Sequence, residues 1–411
     1  MPPETRRQAK IRAVDVLDSV GWPGDEPDDG SDPQVFDARD MRAEISDALH
    51  ALSSSTPPSE HSTGPERTAR ETSRIFPYPM DLENSRKYRS ARRMYVYGLS
   101  RLMEADIVDV EVSAADNLKT NAYVGYRAPK RPAVKAANVR IPMGEGEAAR
   151  VYDADGRLVL YRAWSPKGPV WTSINETLMR VADMLRNIKP TFTNGTRGDF
   201  AAYFFSLHRG SQSDPIMSAY YRKHQQLAEE ILEILEPVQA IVARIFKATA
   251  PRLYQRYCAA IDYVQKKRPG TRACFYPWAS FSFNLGTVVS RWHKDLLNLL
   301  FGWCLIIPFN LFNYRTSCRL VVEELDCEFE IGAGIPMFVP SAMYPHYNTI
   351  LRGKGVRESF VAWTGGPVFQ WVDLDGRPIS SLSAAEKKEY LASMPRHIAE
   401  GLSLSPHESE L

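Results

Sequence analysis

Trp292-His-Lys-Asp-Leu-Leu-Asn298, then Phe338-Val-Pro-Ser-Ala-Met-Tyr-Pro-His346, then Val356-Arg-Glu-Ser-Phe-Val-Ala-Trp363 are the segments that decide the fold. In extended chain, residues i and i+2 point to the same side, so His293 and Asp295 face one way and Lys294 the other. His346 follows an apolar run and a Pro-bounded turn, from which it can approach on a neighbouring strand. Two imidazoles and one carboxylate so placed are the ligand set that holds non-haem Fe(II) and leaves open positions. Those positions would take a bidentate 2-oxo acid and O2, and Arg357 carries the planar fork that suits the far carboxylate of 2-oxoglutarate. The alternative is a β-sandwich whose histidines satisfy only local hydrogen bonds.

The flanking sequence supports a sheet context. After Arg272, strands are expected at Ala273–Phe283, Trp303–Phe309, Arg319–Leu325, Glu328–Ile331, Pro336–Val339, Tyr347–Leu351, Ser359–Thr364 and Phe369–Leu374. Helices precede them, at Ser173–Ile188 with Ser173 and Glu176 as a capping box, at Pro215–Ala248 and at Pro251–Lys267. Between 193 and 198 lies a turn cluster, after which Tyr203–His208 begins a strand; His208 reads as structural. Strands after a run of helices predict an α+β chain, with a double-stranded β-helix (jelly roll) core at 272–375 buttressed by helices at 170–268.

At these residues the chain resembles a known family. Phe281-Ser-Phe-Asn-Leu-Gly286, WHKDLLN (Trp292–Asn298), Gly302, RLVVEEL (Arg319–Leu325), FVPSAMYPHYN (Phe338–Asn348) and VRESFVAWTGGPVFQWV (Val356–Val372) are similar to the fungal 2-oxoglutarate/Fe(II) oxygenase domain. That domain is related to the ten-eleven-translocation and J-binding-protein nucleobase oxygenases, and its basidiomycete members often accompany transposons. The resemblance spans roughly residues 160–375. It implies His293, Asp295 and His346 as iron ligands, Arg357 and Ser359 as holders of 2-oxoglutarate, and O2 as co-substrate. It also places Asn298 where the nucleobase oxygenases read a flipped base, and Trp363 near their stacking aromatic. An amide can read a base edge and an indole face can stack on any base, but Asn298 can equally cap a turn and Trp363 can equally be core. Two departures stand out: Thr316-Ser-Cys318 replaces a glycine-rich pair, and no second arginine for the co-substrate is evident.

The implied activity is oxidation of a methylated base in DNA, 5-methylcytosine hydroxylation or N6-methyladenine demethylation, after the base is flipped out of the duplex. Alternatives are the same iron chemistry on a protein side chain or small molecule, and a non-catalytic jelly-roll binding module. A DNA substrate would place the protein in the nucleus, as a monomer without a membrane partner.

Composition sets the outer bounds. With 411 residues, 44% of them hydrophobic, the chain can bury a large core, and no apolar run nears the ~20 residues that span a bilayer. The polar start MPPETRRQAK has no apolar signal region, so a soluble, non-secreted protein is expected. Cys258, Cys274, Cys304, Cys318 and Cys327 show no C-x-x-C spacing, which indicates neither a disulfide framework nor a zinc site. A net charge of +2 hides a segregation. Residues 1–74 read as a mostly disordered acidic and Ser/Pro-rich tail, with a short amphipathic helix at 40–52. Residues 75–160 read as an extension with a helix at 81–104, strands near 107–112 and an Asp155-Gly156 hairpin. The oxygenase domain would then span 161–380, followed by a helix capped by Ser383 and Glu386 and a polar tail within 381–411. Basic clusters at 86–93, at Arg127, Lys130, Arg131 and Lys135, and at Lys266, Lys267 and Arg268 are candidate phosphate contacts, though a charge run is more often only a solvated face.

Overall fold

The computed structural model describes residues 105–117, 121–125, 137, 139–144, 148–164, 169–195, 197–210 and 212–410. The expectations for residues 1–104 and for the basic residues of 127–135 lie outside the described residues.

Strands β1 (Asp106–Asp109), β2 (Val139–Ile141), β3 (Ala149–Tyr152) and β4 (Leu158–Arg162) come first. They are followed by helix α1 (Pro169–Leu185), strands β5 (Phe192–Gly195), β6 (Gly198–His208) and β7 (Ile216–Met217), and helices α2 (Ala219–Lys223), α3 (Gln225–Thr249) and α4 (Pro251–Lys267). Strands β8 (Ser280–Leu285), β9 (Cys304–Phe309), β10 (Leu320–Val322), β11 (Cys327–Phe329), β12 (Met337–Val339), β13 (His346–Asn348) and β14 (Glu358–Trp363) form the core. Helices α5 (Gly366–Asp373), α6 (Ala384–Ala392) and α7 (Met394–Ser403) close the chain.

The strands make two sheets. The larger runs β1-β3-β4-β12-β9-β14-β8-β6-β5, and the smaller runs β13-β10-β11-β2. From β8 onward the chain passes back and forth: β8, β9, β12 and β14 belong to the large sheet, while β10, β11 and β13 belong to the small one. Residue 293, between β8 and β9, bridges to β13 and so extends the small sheet by one pairing. This alternation is the double-stranded β-helix that the strand pattern predicts.

The two faces of the large sheet differ in chemistry because β8 reads Ser-Phe-Ser-Phe-Asn-Leu. Phe281 and Phe283 lie on the face shared by Phe205, Phe360, Leu305 and Ile307, by strand register. Helix α3 covers it, with Phe246 stacked on Trp278 at 5.1 Å and on Trp303 at 5.8 Å between ring centroids. The opposite face carries the small polar residues Ser280, Ser282, Asn284 and Ser359, alongside Val361 and Trp363.

Several expectations need correction: Glu323–Leu325, expected as the end of a strand, is a 3-10 turn, and residues 193–195, expected in a turn cluster, belong to β5. Phe369–Leu374 is not a strand but lies in α5, because Gly366-Pro367 starts a helix whose Val368, Phe369 and Trp371 are buried. Helix α1 begins at Pro169, so Ser173 and Glu176 lie inside it and cap nothing. The segment expected as one helix from Pro215 holds β7, then α2 capped by the Ser218 side chain on Tyr221 N–H, then α3. Residues 273–279 fold as a tight turn around the Phe275–Trp278 pairing, leaving only 280–285 as strand. The Asp155-Gly156 hairpin and the Ser383–Glu386 capping box are present as expected. The expected domain boundary at 160/161 falls inside β4, whose Arg162 pairs with Met337, so the hairpin continues the large sheet.

Phe246 touches the covered face at several aromatic rings, so Phe246→Ala is expected to cost about 3–5 kcal/mol. Urea unfolding read by tryptophan fluorescence checks this.

Candidate metal centre

His293 and His346 sit directly opposite each other and exchange both backbone hydrogen bonds, His293 N–H to His346 O at 3.1 Å and His346 N–H to His293 O at 2.9 Å. Their rings lie 4.4 Å apart. Asp295, two residues on, donates its backbone N–H to Ser341 O at 2.9 Å and so stays beside the same strand pair. One ligand atom from each of His293, Asp295 and His346 lies within 4.8 Å of the others, a group that could hold a metal ion. The spacing in sequence and the approach from a neighbouring strand are as expected.

The donor atoms are prepared for a cation. His293 Nδ1 is 2.7 Å from Arg291 O and His346 Nδ1 is 3.1 Å from Tyr344 O. Each Nδ1–H donates to a carbonyl, which leaves each Nε2 lone pair free for the centre. Burial lowers the pKa of His293 to about 3, helped by the neighbouring His346, and burial likewise lowers that of His346. Burial alone would raise Asp295, but Arg197 and the two histidines outweigh it and bring it to about 2. At neutral pH the set is therefore two neutral imidazoles and one carboxylate, the protonation state a divalent ion needs. Asp295 Oδ1 is buried, with Arg197 Nη1 at 3.0 Å and His293 Nε2 at 3.7 Å, so the carboxylate is held ionised and turned toward the two imidazoles. The residues fit the group.

Two residues around Asp295 were not evident in the sequence. Arg197, in the turn before β6, brings Nη1 to 3.0 Å from Asp295 Oδ1, although a turn cluster gives no hint of this role. Ser341 accepts from Asn298 Nδ2 at 3.0 Å, and the same Nδ2 approaches Asp295 Oδ2 at 3.4 Å. Asn298 thus braces the carboxylate from beside the centre, and its backbone N–H also closes a turn onto Asp295 O at 2.9 Å.

Arg357 precedes β14 and is 2% exposed. Its Nη1 donates to Val288 O at 3.1 Å, while its buried Nε has no partner. Burial lowers its pKa to about 10, so it remains cationic at neutral pH. A buried guanidinium held by one carbonyl is suited to an anionic ligand. Ser359 shares its side of the strand and accepts from Asn284 Nδ2 at 3.2 Å. Glu358, between them, points to the other side, where Gly286 N–H and Asn310 Nδ2 bond it at 2.9 and 3.1 Å. Trp363 lies on the Ser359 side of β14, half-buried, with the edge of Phe204 at 5.6 Å.

Lys266 and Lys267 end α4 and Arg268 is its C-cap, on a helix that packs against Trp278 through Tyr257. Lys267 lies 3.6 Å from Asp375 and Arg268 pairs with Asp214. Arg127, Lys130 and Arg131 lie outside the described residues.

No protein-family profile and no curated protein matches this chain. Among solved structures, it is similar to NgTET1 in complex with 5mC DNA, at 14% identity over 67% of this chain and 90% of that one, with a TM-score of 0.41. A 2OG-Fe(II) oxygenase family protein from Burkholderia pseudomallei matches at 17% identity over 46% and 77%, with a TM-score of 0.30. JOX2 in complex with 2OG, Fe and JA matches at 12% over 68% and 92%, with a TM-score of 0.28. The fold rests on the strand topology described above.

Burial holds His293 at about 3 and lowers His346 below the ordinary histidine value of 6.5. Divalent-metal affinity should therefore fall less steeply between about pH 7.5 and 5.5 than for two ordinary histidines, each of which would lose about tenfold per pH unit below 6.5. Isothermal titration with Co(II) across that range checks it.

Proposed function

We propose that this protein is an Fe(II)- and 2-oxoglutarate-dependent dioxygenase that oxidises a methylated base in DNA. The observation that carries the reading is the convergence of His293, Asp295 and His346 with both Nε2 atoms free, on the polar side of a double-stranded β-helix. Bound Fe(II), with 2-oxoglutarate and O2, would supply the oxidising power to remove a hydrogen atom from a methyl group. The chain's own residues do the rest. Arg357 and Ser359 hold the far carboxylate of the co-substrate, Asn298 keeps the Asp295 carboxylate in place and reads the base edge, and Trp363 offers a half-buried ring on which a base can stack. The target methyl is unreachable inside the stack, so the base is extruded at a cost of a few kcal/mol. A methyl on carbon would become a hydroxymethyl group that stays on the base; a methyl on nitrogen would give a carbinolamine that releases formaldehyde.

Support for DNA comes from Asn298, which the sequence resemblance assigns to the base edge and whose Nδ2 lies 3.4 Å from Asp295 Oδ2. A DNA substrate would put the protein in the nucleus, acting as a monomer. One observation favours a second reading, the same chemistry on a protein side chain or small molecule: Lys266, Lys267 and Arg268 lie in the helical layer, and two of them are paired with acids.

The test is nucleoside mass spectrometry of duplex DNA carrying 5-methylcytosine and N6-methyladenine after incubation with the protein, Fe(II), ascorbate and 2-oxoglutarate. Loss of one modified base, absent for His293→Ala, is the expected result; survival of both bases while succinate accumulates would overturn the nucleobase assignment. Trp363→Ala should lower base oxidation about tenfold or more and leave 2-oxoglutarate turnover without substrate unchanged, because stacking contributes about 1–3 kcal/mol. Parallel assays of modified base and succinate separate the two effects.

A further inference from the structure

We infer that the turn Glu323–Leu325 is a brace that sets the geometry of the metal centre, acting through Lys294 and Trp292. The inference rests on the metal reading above and assigns positioning roles to residues that touch neither metal nor substrate.

The brace follows from the period of the ligand segment. His293 and Asp295 face the centre, so Trp292 and Lys294 face the opposite way. There they meet the turn: the indole Nε1–H of Trp292 donates to Glu323 Oε2, and Lys294 Nζ lies 3.3 Å from Glu324 Oε1. The Lys294 side chain is only 8% exposed and that of Glu324 31%, so the ammonium end of this ion pair is shielded and the carboxylate end partly so. The same turn reaches the third ligand. Glu323 N–H donates to Pro345 O at 3.2 Å, and Val322, the residue before the turn, pairs directly with His346. One short turn, closed by Asp326 at φ 54°, therefore grips the chain on both sides of His293 and immediately before His346.

The turn is not built for stability. Glu323 Oε1 and Glu324 Oε2 are buried without a hydrogen-bond partner, so each carboxylate is only half satisfied. Two adjacent acids held this way cost free energy that an apolar turn would not. Their benefit is directional: a charged contact and a hydrogen bond fix the rotation of the ligand segment about its own axis, which decides whether Nε2 of His293 and Oδ1 of Asp295 converge. Groups that orient metal ligands in this manner commonly change metal affinity by about 10–100-fold when removed.

The experiment compares Co(II) binding, followed by its visible ligand-field spectrum, in the full-length wild type, Lys294→Met, Glu324→Gln, the exchange Lys294→Glu with Glu324→Lys, and the milder Trp292→Phe. Thermal unfolding of each metal-free protein is recorded alongside. Lys294→Met and Glu324→Gln should bind Co(II) about 10–100-fold more weakly, with a changed spectrum, at temperatures where the metal-free variants are folded. The exchange should recover most of that loss, and Trp292→Phe, which keeps the ring and removes only the N–H, should weaken binding by about threefold or more. Wild-type affinity and spectrum in folded Lys294→Met and Trp292→Phe, with only the unfolding temperature lowered, would overturn the brace and leave the metal centre standing. If the wild type itself binds no Co(II), the metal reading fails, and the brace with it.

Discussion

The two hydrogen bonds exchanged between His293 and His346 are the constraint on which the site depends. They make the two histidines direct partners across a strand pair, and a pairing in an extended chain has no intermediate settings. A slip of one residue would turn Trp292 and Lys294 toward the centre and bury His293 and Asp295 against Glu323 and Glu324. Register thus decides between a ligand set and a charge conflict. The Nδ1 contacts to Arg291 O and Tyr344 O complete the arrangement by fixing each ring with Nε2 inward.

The large sheet serves this pairing by having two unlike faces. Its aromatic face is sealed by helices, with rings of Phe246, Trp278, Trp303 and Phe338 packed together. Its other face carries Ser280, Ser282, Asn284 and Ser359 together with Phe204, Val361 and Trp363, by strand register. Charge is then placed in a setting where it matters: Arg357 is buried without a carboxylate, and Asp295 is held ionised by Arg197. In a low-dielectric interior these charges favour ligands of complementary sign, a cation at the triad and an anion at Arg357.

Much of this was legible in the sequence. The alternation Ser-Phe-Ser-Phe-Asn in β8 and the H-x-D spacing both follow a period of two, which a strand expresses directly, and the Asp155-Gly156 turn is a local signal that tertiary context does not override. The misreadings have equally local causes. Phe369-Gln-Trp-Val-Asp alternates like a strand, but its burial follows a helical face begun by Gly366-Pro367. Ser173 and Glu176 have the spacing of a cap while Pro169 had already started the helix. Arg197 and Ser341 were illegible for a different reason: they reach Asp295 and Asn298 through contacts across about 100 and about 40 residues, and no local pattern encodes such contacts. The basic cluster at 266–268 looked like a phosphate contact because sequence shows charge but not the face of the fold on which it lies.

The most direct measurement is an anaerobic titration of the metal-free protein, first with Fe(II) and then with 2-oxoglutarate, followed by visible absorption. A 2-oxo acid chelating Fe(II) gives a charge-transfer band. The account predicts a saturable band in the wild type that is lost in Asp295→Ala and shifted to much higher 2-oxoglutarate concentration in Arg357→Gln. A wild type that binds Fe(II) without developing the band, or an Asp295→Ala protein that develops it unchanged, would contradict the account.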